Sequence, residues 1–318
     1  MLDLRIFVGL FSVSLAVLGA GSVSGQTYPN KPIRLLTQPA GGGVDFAARQ
    51  IAIGLTTGLA QQVIVDNRAP VIARETAAKA PPDGYTLLFD SSGMWIEPFL
   101  HDVYWDPVRD FSPIASAVRS PNILVVHPSL PVKSVKELIT FAKAKPGELN
   151  FASSGNGATN HLAGELFKAM AGINIVHIPF RGVQFGVTNL ISGQVQLMFG
   201  TGGTVGAHVR SGRMRALAVT TPQKSVVFPD LPTMAEFLPG YSAPIILGIL
   251  APAKTPEAII KRLNEEVVRV LNTPDVKAKL LRTGAETVGS SSEEFAAEIK
   301  ADLARWGKLI RDARIRVN

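Results

Sequence analysis

Two stretches of the chain place a turn rich in glycine and hydroxyl side chains between an apolar run and an amphipathic helix. The first extends from Leu35 to Arg49 and the second from Leu149 to Phe167. Each turn can present several backbone N–H groups at a helix N-terminus, where unpaired amides and the positive end of the helix dipole favour an anion. Because the two stretches lie far apart in sequence, we expect them in different lobes that close around a small acid.

Short apolar runs alternate with helical patterns along most of the chain, which is typical of α/β architecture with largely parallel sheets. Ser134 followed by Glu137 is a capping box that begins one helix, and Ile259–Leu271 and Phe295–Ile310 are long amphipathic helices. The predicted strands are 33–37, 63–65, 86–89, 123–127, 150–152, 173–178, 196–199, 215–219 and 245–251.

Two apolar runs bracketed by proline predict where the chain crosses between the lobes. They are Asn122–Pro128 and Ile245–Pro252. Lobe one would then comprise residues 27–123 and 247–318, and lobe two residues 124–246. The length of 318 residues allows two domains of ordinary size.

The N-terminus has the pattern of an export signal. An apolar run from Ile6 to Ala20 follows Arg5 and precedes Gly21 and Ser22, and it is shorter than the ~20 residues that span a membrane. We predict a cleaved signal peptide over residues 1–26 and a periplasmic mature protein, with a retained signal anchor or a lipid anchor as alternatives. Because the chain has no Cys, a cysteine-linked lipid anchor, disulfides and thiol catalysis are excluded.

The composition favours a packed core and no nucleic-acid partner. Hydrophobic residues make up 46% of the chain and charged residues 18%. The net charge of +7 forms either a solvated basic surface or a field that steers anionic ligands. Because the basic residues are mostly scattered, nucleic-acid binding is not expected.

Four turns that follow predicted strands share small residues, hydroxyl groups and little charge. In open α/β sheets ligands bind beyond the carboxyl ends of the strands, so these turns predict the binding site, although glycine and serine are also ordinary turn and capping residues. The candidate ligand-binding residues in the four turns are Pro39, Ala40, Gly41, Gly42 and Gly43; Ser92; Ser153, Ser154, Gly155, Asn156, Gly157 and Thr159; and Thr201.

Several single side chains near these turns have two possible roles each. Asp45, in the first turn of its helix, either complements the helix dipole or orders the loop amides beside the ligand. Arg68 and Arg181 either pair with a carboxylate or lie on the surface. Trp95 forms an apolar wall for the ligand or belongs to the core. His161 has a core or capping role or takes part in acid–base chemistry.

Motifs of catalysis are missing from the sequence. It contains neither a G-x-S-x-G elbow nor a G-x-x-x-x-G-K-[ST] phosphate loop, and Asn160 stands where a dinucleotide motif that begins at Gly155 needs its third glycine. The five histidines lack the spacing of metal ligands. We therefore predict no catalytic residues, no metal and no cofactor.

The chain resembles the extracytoplasmic solute receptors of tripartite tricarboxylate transporters, also called Bug-type receptors, over nearly its full length after the signal peptide. The blocks that carry the resemblance are Tyr28–Arg34, Pro39–Asp45, Pro82–Leu87, Asp106–Phe111, Phe151–Glu165, Ala216–Thr220, Pro229–Thr233 and Leu250–Ala253.

The resemblance implies a periplasmic-binding-protein (Venus-flytrap) fold, with two α/β lobes of mixed sheets joined by crossing hinge strands. It also implies that backbone amides, hydroxyls and waters hold a ligand carboxylate between Ala40–Gly43 with Asp45 on one lobe and Ser153–Thr159 on the other. The expected partners are a small organic acid (a di- or tricarboxylate or an aromatic carboxylate) and a membrane permease of the tripartite tricarboxylate type. We expect a monomer.

Three segments depart from the family's usual pattern. Ala69–Arg74 replaces a glycine-rich segment and predicts a stiffer, larger loop near the cleft; Gly200–Gly203 lacks a common acidic residue; and Phe180-Arg181-Gly182 replaces Tyr-Lys-Gly. Together they favour a larger, aromatic or fully anionic ligand. Two alternatives stay open: a sensor for a membrane kinase, and an exported transferase or lyase that binds phosphate in its glycine-rich turns.

Overall fold

A computed structural model describes residues 28–315 of the chain. Its strands are β1 (Ile33–Thr37), β2 (Val63–Asn67), β3 (Thr86–Ser91), β4 (Phe111–Ser120), β5 (Asn122–Val126), β6 (Asn150–Ser153), β7 (Val176–Pro179), β8 (Leu197–Thr201), β9 (Arg215–Val219), β10 (Ile245–Pro252) and β11 (Glu286–Thr287). Its helices are α1 (Gly43–Leu59), α2 (Pro70–Ala78), α3 (Gly93–Ile96), α4 (Val135–Ala144), α5 (Thr159–Ala171), α6 (Val183–Ile191), α7 (Gly202–Arg210), α8 (Glu257–Leu271), α9 (Pro274–Arg282) and α10 (Ser292–Asp312).

The strands form two mixed sheets, one in each lobe. The first sheet has the order β11-β4-β10-β3-β1-β2, with β1 parallel to β2 and β3, and β10 antiparallel to β3 and β4. The second has the order β7-β6-β8-β5-β9, with β6 parallel to β7 and β8, and β5 antiparallel to β8 and β9. The predicted α/β class with two lobes and mixed sheets is confirmed.

The chain passes between the sheets in two short segments that are hydrogen-bonded to each other. Pro121 alone separates β4 from β5. Beside it, the backbone N–H of Asn122 donates to Thr220 Oγ1 at 2.9 Å, and both Asn122 Nδ2 and Thr220 Oγ1 donate to the carbonyl of Ala243, at 3.2 and 3.0 Å. Asn122 and Thr220 are buried, so the outgoing and returning segments form one packed hinge.

The two runs that the sequence predicts as crossings both form strands, and each strand lies within a single sheet. β5 belongs to the second sheet and β10 to the first. The passage itself therefore lies just before each of them. The lobe boundaries 27–123 with 247–318, and 124–246, stay a prediction that agrees with this sheet membership to within a few residues.

One hydrophobic cluster extends through both lobes, and α10 is part of it. Phe295 and Trp306 of α10 belong to the same buried cluster as Phe151 and Leu162 of the second lobe. Trp95 is also in this cluster: its ring meets that of Phe295 edge to face at 5.8 Å, and its Nε1 donates to Asp302 at 3.2 Å. Of the two roles considered for Trp95, the structure supports the core.

The predicted signal peptide, residues 1–26, lies outside the described residues. Across residues 28–315, none of the helices combines the length and the apolar character needed to cross a membrane.

Candidate ligand-binding site between the lobes

The strand register brings the four predicted turns to the hinge ends of the two sheets. In the first sheet, the last residue of β3 pairs with Leu247 and the last residue of β4 pairs with Ile245, so the carboxyl ends of β3 and its parallel neighbour β1 lie beside the hinge. In the second sheet, Thr201 at the end of β8 pairs with Asn122 at the start of β5. The carboxyl ends of β6 and β8 therefore lie there too.

The carboxylate of Asp45 helps to hold in place the first cradle, which we define as residues 38–43. Asp45 Oδ2 accepts a hydrogen bond from the backbone N–H of Gly41 at 3.0 Å, and Asp45 Oδ1 accepts one from Asn67 Nδ2 at 2.8 Å. The same amide nitrogen donates to the carbonyl of Gln38 at 2.7 Å. Asp45 thus orders the loop, which is one of the two roles that its position suggests.

Asp45 stays ionised despite its burial. Burial alone would raise the pKa of its carboxyl, but hydrogen bonds from Arg49, Gly41 and Asn67 outweigh burial and hold the pKa below its usual value. Arg49 Nε lies 2.9 Å from Asp45 Oδ1. Because this charge is fully partnered, it does not repel an anion from the cradle.

The glycines of the first cradle leave open space for a ligand. Gly41, Gly42 and Gly43 are exposed, and a Cβ added to any of them would meet no atom within 4 Å. Gly41 has a φ of +93°, which favours glycine. Gly42 is the N-cap of α1 and supplies no side-chain cap, so amides of the first turn remain free to bind an anion. Pro39 and Ala40 are exposed beside them.

The second cradle, defined as residues 153–159, is held in place by two histidines. His161 Nδ1 accepts a hydrogen bond from the backbone N–H of Gly157 at 3.0 Å. His177 Nε2 lies 2.6 Å from Ser153 Oγ, which in turn accepts the N–H of Gly155 at 3.1 Å. These contacts fix the loop from both of its ends.

Both histidines are neutral at physiological pH. Their rings stack with centroids 3.8 Å apart. Burial, together with the His177 and Lys168 charges, lowers the pKa of His161 to about 3, and burial with Lys168 lowers the pKa of His177 to about 4. A neutral His161 whose Nδ1 accepts a hydrogen bond carries its own hydrogen on Nε2. Its role is therefore to order the loop, which rules out acid–base work near pH 7.

The second cradle is also open toward solvent. Asn156 is exposed, and Ser154 and Thr159 are partly exposed. Ala158 is the N-cap of α5 and supplies no side-chain cap, so the first turn of this helix also has free amides. Gly155 needs glycine because its φ is +141°, and a Cβ there would meet only the carbonyl of Phe180, at 3.8 Å.

The other two turns are filled by protein contacts. Ser92 is buried, and it exchanges hydrogen bonds with Ile246: its N–H donates at 2.7 Å and its hydroxyl accepts at 3.4 Å. A Cβ on Gly202 would lie 2.6 Å from the ring of Phe228 and 3.4 Å from Gly284 Cα of the other lobe. This close approach explains why position 202, just after β8, is occupied by glycine.

The ligand contacts predicted for Ser92 and Thr201 stay predictions. The hydroxyl of Thr201 lies 2.8 Å from that of Thr204, so it is engaged within its own turn. The first and second cradles differ from these two turns in that no close protein contact fills the space beside Gly42 and Gly155.

The two candidate arginines differ in their surroundings. Arg68 is exposed and its Nε lies 2.9 Å from Asp66 Oδ1, so its charge is already paired. Arg181 is exposed, and within residues 28–315 it forms no ion pair. It follows Phe180, whose N–H donates to the carbonyl of Ser153 at 3.1 Å. Arg181 is therefore the unpaired cation beside the second cradle.

The altered segment after Arg68 is not a loop, and that prediction is wrong. Pro70 begins helix α2, since proline is favoured in the first helical turn. Arg74 of this helix is buried: its Nε lies 2.6 Å from Asp90 Oδ2, and it also pairs with Glu97. Gln38 Nε2 donates to Asp90 Oδ1 at 2.6 Å, which connects this network to the first cradle.

The sequence analysis did not identify Arg74. The only indication in the sequence is that Arg74 lies on the same face of α2 as the buried residues Ala73 and Ala77. Among the described residues, no three His, Cys, Asp or Glu side chains are grouped so that they could hold a metal ion.

Two α/β lobes joined at a buried hinge, with open helix N-termini at the hinge ends of their sheets, define the class of periplasmic solute-binding proteins. Comparison with known proteins gives the family. The chain belongs to the tripartite tricarboxylate transporter receptors: the family model described as "Tripartite tricarboxylate transporter family receptor" (TctC) matches residues 47–315. The resemblance seen in the sequence blocks is confirmed.

Relatives and solved structures agree with this assignment. The "UPF0065 protein in tcbD-tcbE intergenic region" of Pseudomonas sp. (strain P51) is 36% identical over 300 residues, covering 92% of this chain and 89% of that protein. Protein BugT of Bordetella pertussis is 33% identical over 323 residues, covering 98% of each. R. palustris Rpa4515, solved with adipate, is 34% identical with a TM-score of 0.75, covering 91% of this chain and 100% of that one. MatC from Rhodopseudomonas palustris, solved with bound malate, is 26% identical with a TM-score of 0.72, covering 89% and 100%.

Proposed function

We propose that this receptor captures a small organic carboxylate between its lobes in the periplasm and delivers it to a membrane permease of the tripartite tricarboxylate type. The observation that carries the proposal is the pair of cradles. Each cradle connects the carboxyl end of a strand at the hinge to a helix whose N-cap makes no side-chain hydrogen bond. One cradle lies on each lobe. A carboxylate between them would accept hydrogen bonds from both sides.

The charges near the hinge favour an anion. The first turns of α2, α5, α6 and α7 contain no acidic residue, and the one in α1, Asp45, is already partnered. Helix N-termini and Arg181 therefore set a positive potential at this edge. Hydrogen bonds to a charged group contribute roughly 1.5–3 kcal/mol each, and micromolar binding needs about 8 kcal/mol, so about three to six such bonds suffice in gross terms.

The solved relatives support the same ligand class, because adipate and malate are both small carboxylates. Binding without turnover is part of the proposal, since the hydroxyl of Ser153, which lies 2.6 Å from His177 Nε2, also accepts the N–H of Gly155 and so helps to order the loop. A carboxylate incubated with the protein should therefore be recovered unchanged, as measured by proton NMR.

The test is a thermal-shift screen with mono-, di- and tricarboxylates, followed by calorimetry on wild type and two N-cap variants. Gly42 and Ala158 both have backbone angles that any residue adopts, so Gly42→Leu and Ala158→Leu fill the cradles without straining the backbone. Each should lower affinity at least tenfold at nearly unchanged melting temperature. Gly42→Ala, which adds one carbon in open space, is the control.

The proposal fails if no carboxylate shifts the melting temperature, or if both leucine variants bind as tightly as wild type. Delivery is tested separately by crosslinking the tagged protein to membranes of its own host with ligand present. Recovery of a permease subunit supports transport, whereas recovery of a kinase ectodomain supports a sensor.

A further inference from the structure

The edge strands place two further helices at the ligand end of the lobes. β2 runs parallel to β1 at one edge of the first sheet, and β7 runs parallel to β6 at one edge of the second. In the first lobe, the N–H of Arg68, just after β2, donates to the carbonyl of Thr37, the last residue of β1, at 2.9 Å. In the second lobe, the N–H of Phe180, just after β7, donates to the carbonyl of Ser153, the last residue of β6, at 3.1 Å. The first turns of α2 and α6 thus lie beside the two cradles.

These first turns expose large apolar side chains. In α2, Val71 is 42% and Ile72 is 48% exposed, and in α6, Phe185 is 60% exposed. The faces that pack on the sheets are formed by other residues, Ala73 and Ala77 in α2 and Gly186, Val187 and Leu190 in α6. The exposed residues therefore lie outside the faces of α2 and α6 that pack on the sheets.

Phe185 belongs to the surroundings of the second cradle. Its Cδ2 lies 4.0 Å from the position of a Cβ on Gly182, and Gly182 N–H donates to the carbonyl of Phe180 at 3.0 Å. That same carbonyl is the nearest group to a Cβ on Gly155. An aromatic ring, the unpaired Arg181 and the open amides are thus parts of one corner of the lobe.

We propose that the ligand is a carboxylate with an apolar body, an aromatic ring or an unbranched alkyl chain, packed between Val71 and Ile72 on one lobe and Phe185 on the other. This inference rests on the proposed function and narrows its substrate class. The cradles take the carboxylate, Arg181 is placed for a second one, and the apolar side chains select against hydroxylated acids.

The selectivity follows from desolvation. Each methylene buried against these side chains raises affinity about fourfold. A ligand hydroxyl in the same place is desolvated without gaining a hydrogen bond from the protein, which costs about tenfold or more in affinity. Affinity should therefore rise along the series succinate, adipate, suberate and fall from succinate to malate to tartrate.

The experiment is calorimetric titration of the full mature chain with these acids and with benzoate. The double variant Ile72→Ser/Phe185→Ser should lose at least tenfold in affinity for the apolar acids and little or nothing for malate. Ile53→Ser is the matched control, because Ile53 is 65% exposed in the middle of α1 and away from the cradles. It should bind like wild type.

Tighter binding of malate or tartrate than of adipate and benzoate would overturn the inference and leave the carboxylate receptor standing. Equal loss for all acids in the double variant would also overturn it, since a selective contact must discriminate. If no carboxylate bound, both the proposed function and this inference would be contradicted.

Discussion

The backbone N–H of Gly157 donates to His161 Nδ1 at 3.0 Å, across four residues at the start of α5. The N–H of Gly41 donates to Asp45 Oδ2 at 3.0 Å, across the same four residues at the start of α1. In each helix the acceptor is the third residue. Each lobe therefore uses one side chain to satisfy the amide before the N-cap, and this leaves the following amides for the ligand.

Replacing His161 should separate loop order from overall stability. His161→Ala removes the acceptor of the partly buried Gly157 N–H, so we expect a loss of about 1 kcal/mol in the free energy of unfolding and at least tenfold weaker ligand binding. His161→Asn retains an oxygen acceptor near the same place and should restore most of the affinity. Chemical denaturation and calorimetry measure the two effects.

A structural role alone predicts a different outcome for this pair of variants. If alanine and asparagine lost the same affinity, the hydrogen bond to Gly157 would not be what orders the loop. Gly42→Ala again serves as a fold control in the opposite lobe.

The histidine pair should give the protein a marked pH dependence of stability. The pKa of His161 is about 3 and that of His177 about 4 in the folded state, against 6.5 for an unperturbed histidine. The unfolded state therefore binds more protons below pH 6.5. The contribution of the neutral pair is fully present above that pH and is lost as the pH falls through 6 toward 4, by at most about 1.4 kcal/mol per pH unit for His161 and by less for His177, which is only partly buried.

Because carboxylates elsewhere also titrate between pH 6.5 and 4, the test compares the pH dependence of unfolding in wild type with that in a variant that lacks both histidines. The free energy of unfolding of wild type should fall more steeply between pH 6.5 and 4 than that of a His161→Asn/His177→Asn variant. Lys168 and Glu165, which lie next to His161, are present in both proteins and cancel. Parallel pH profiles would contradict the assignment.

The buried ion pair of Arg74 should be one of the most sensitive positions outside the core. Arg74→Met leaves the carboxylates of Asp90 and Glu97 without their buried partner, so we expect a loss of about 3–5 kcal/mol. The double variant Arg74→Met/Asp90→Asn removes one uncompensated charge and should recover part of that loss. Arg68→Met, at an exposed pair, should leave the free energy of unfolding nearly unchanged.

The close packing of Gly202 against the ring of Phe228 should be intolerant of any side chain at position 202. Gly202→Ala places a carbon against the ring of Phe228 and near Gly284, and should destabilise the protein by about 1–3 kcal/mol. Combining it with Phe228→Leu should relieve part of the strain. A fully neutral Gly202→Ala in thermal denaturation would show that the ring of Phe228 moves aside without cost.

The cradles were predictable because their signal is local. A turn of glycine and hydroxyl residues between an apolar strand and a helix defines an open N-terminus wherever the helix packs. For Asp45 and Trp95 the sequence allowed two roles each. Hydrogen bonding shows that Asp45 orders its loop, and burial shows that Trp95 belongs to the core. Whether a side chain near a turn is free or partnered depends on residues far away in sequence, as Arg68 and Arg181 illustrate.

Strand β4 is the clearest feature that the sequence analysis missed. Its residues, Phe111–Ser120, include Pro113 and three serines, a composition that does not favour a strand. They form one because β10 and β11 pair with both sides of it. The helical start at Pro70 was missed for a related reason: the segment is held by the buried pair of Arg74, which no local pattern reveals.

The position of β10 in the first sheet determines the order in which the protein can be assembled. β10 joins β4 to β3, yet it follows every described strand of the second sheet along the chain. As the polypeptide emerges N-terminus first, the second sheet has all its strands before the first sheet has the one that unites its halves. The lobe that begins the chain is therefore completed last, and until then its unpaired strand edges are the part of the molecule most exposed to wrong partners.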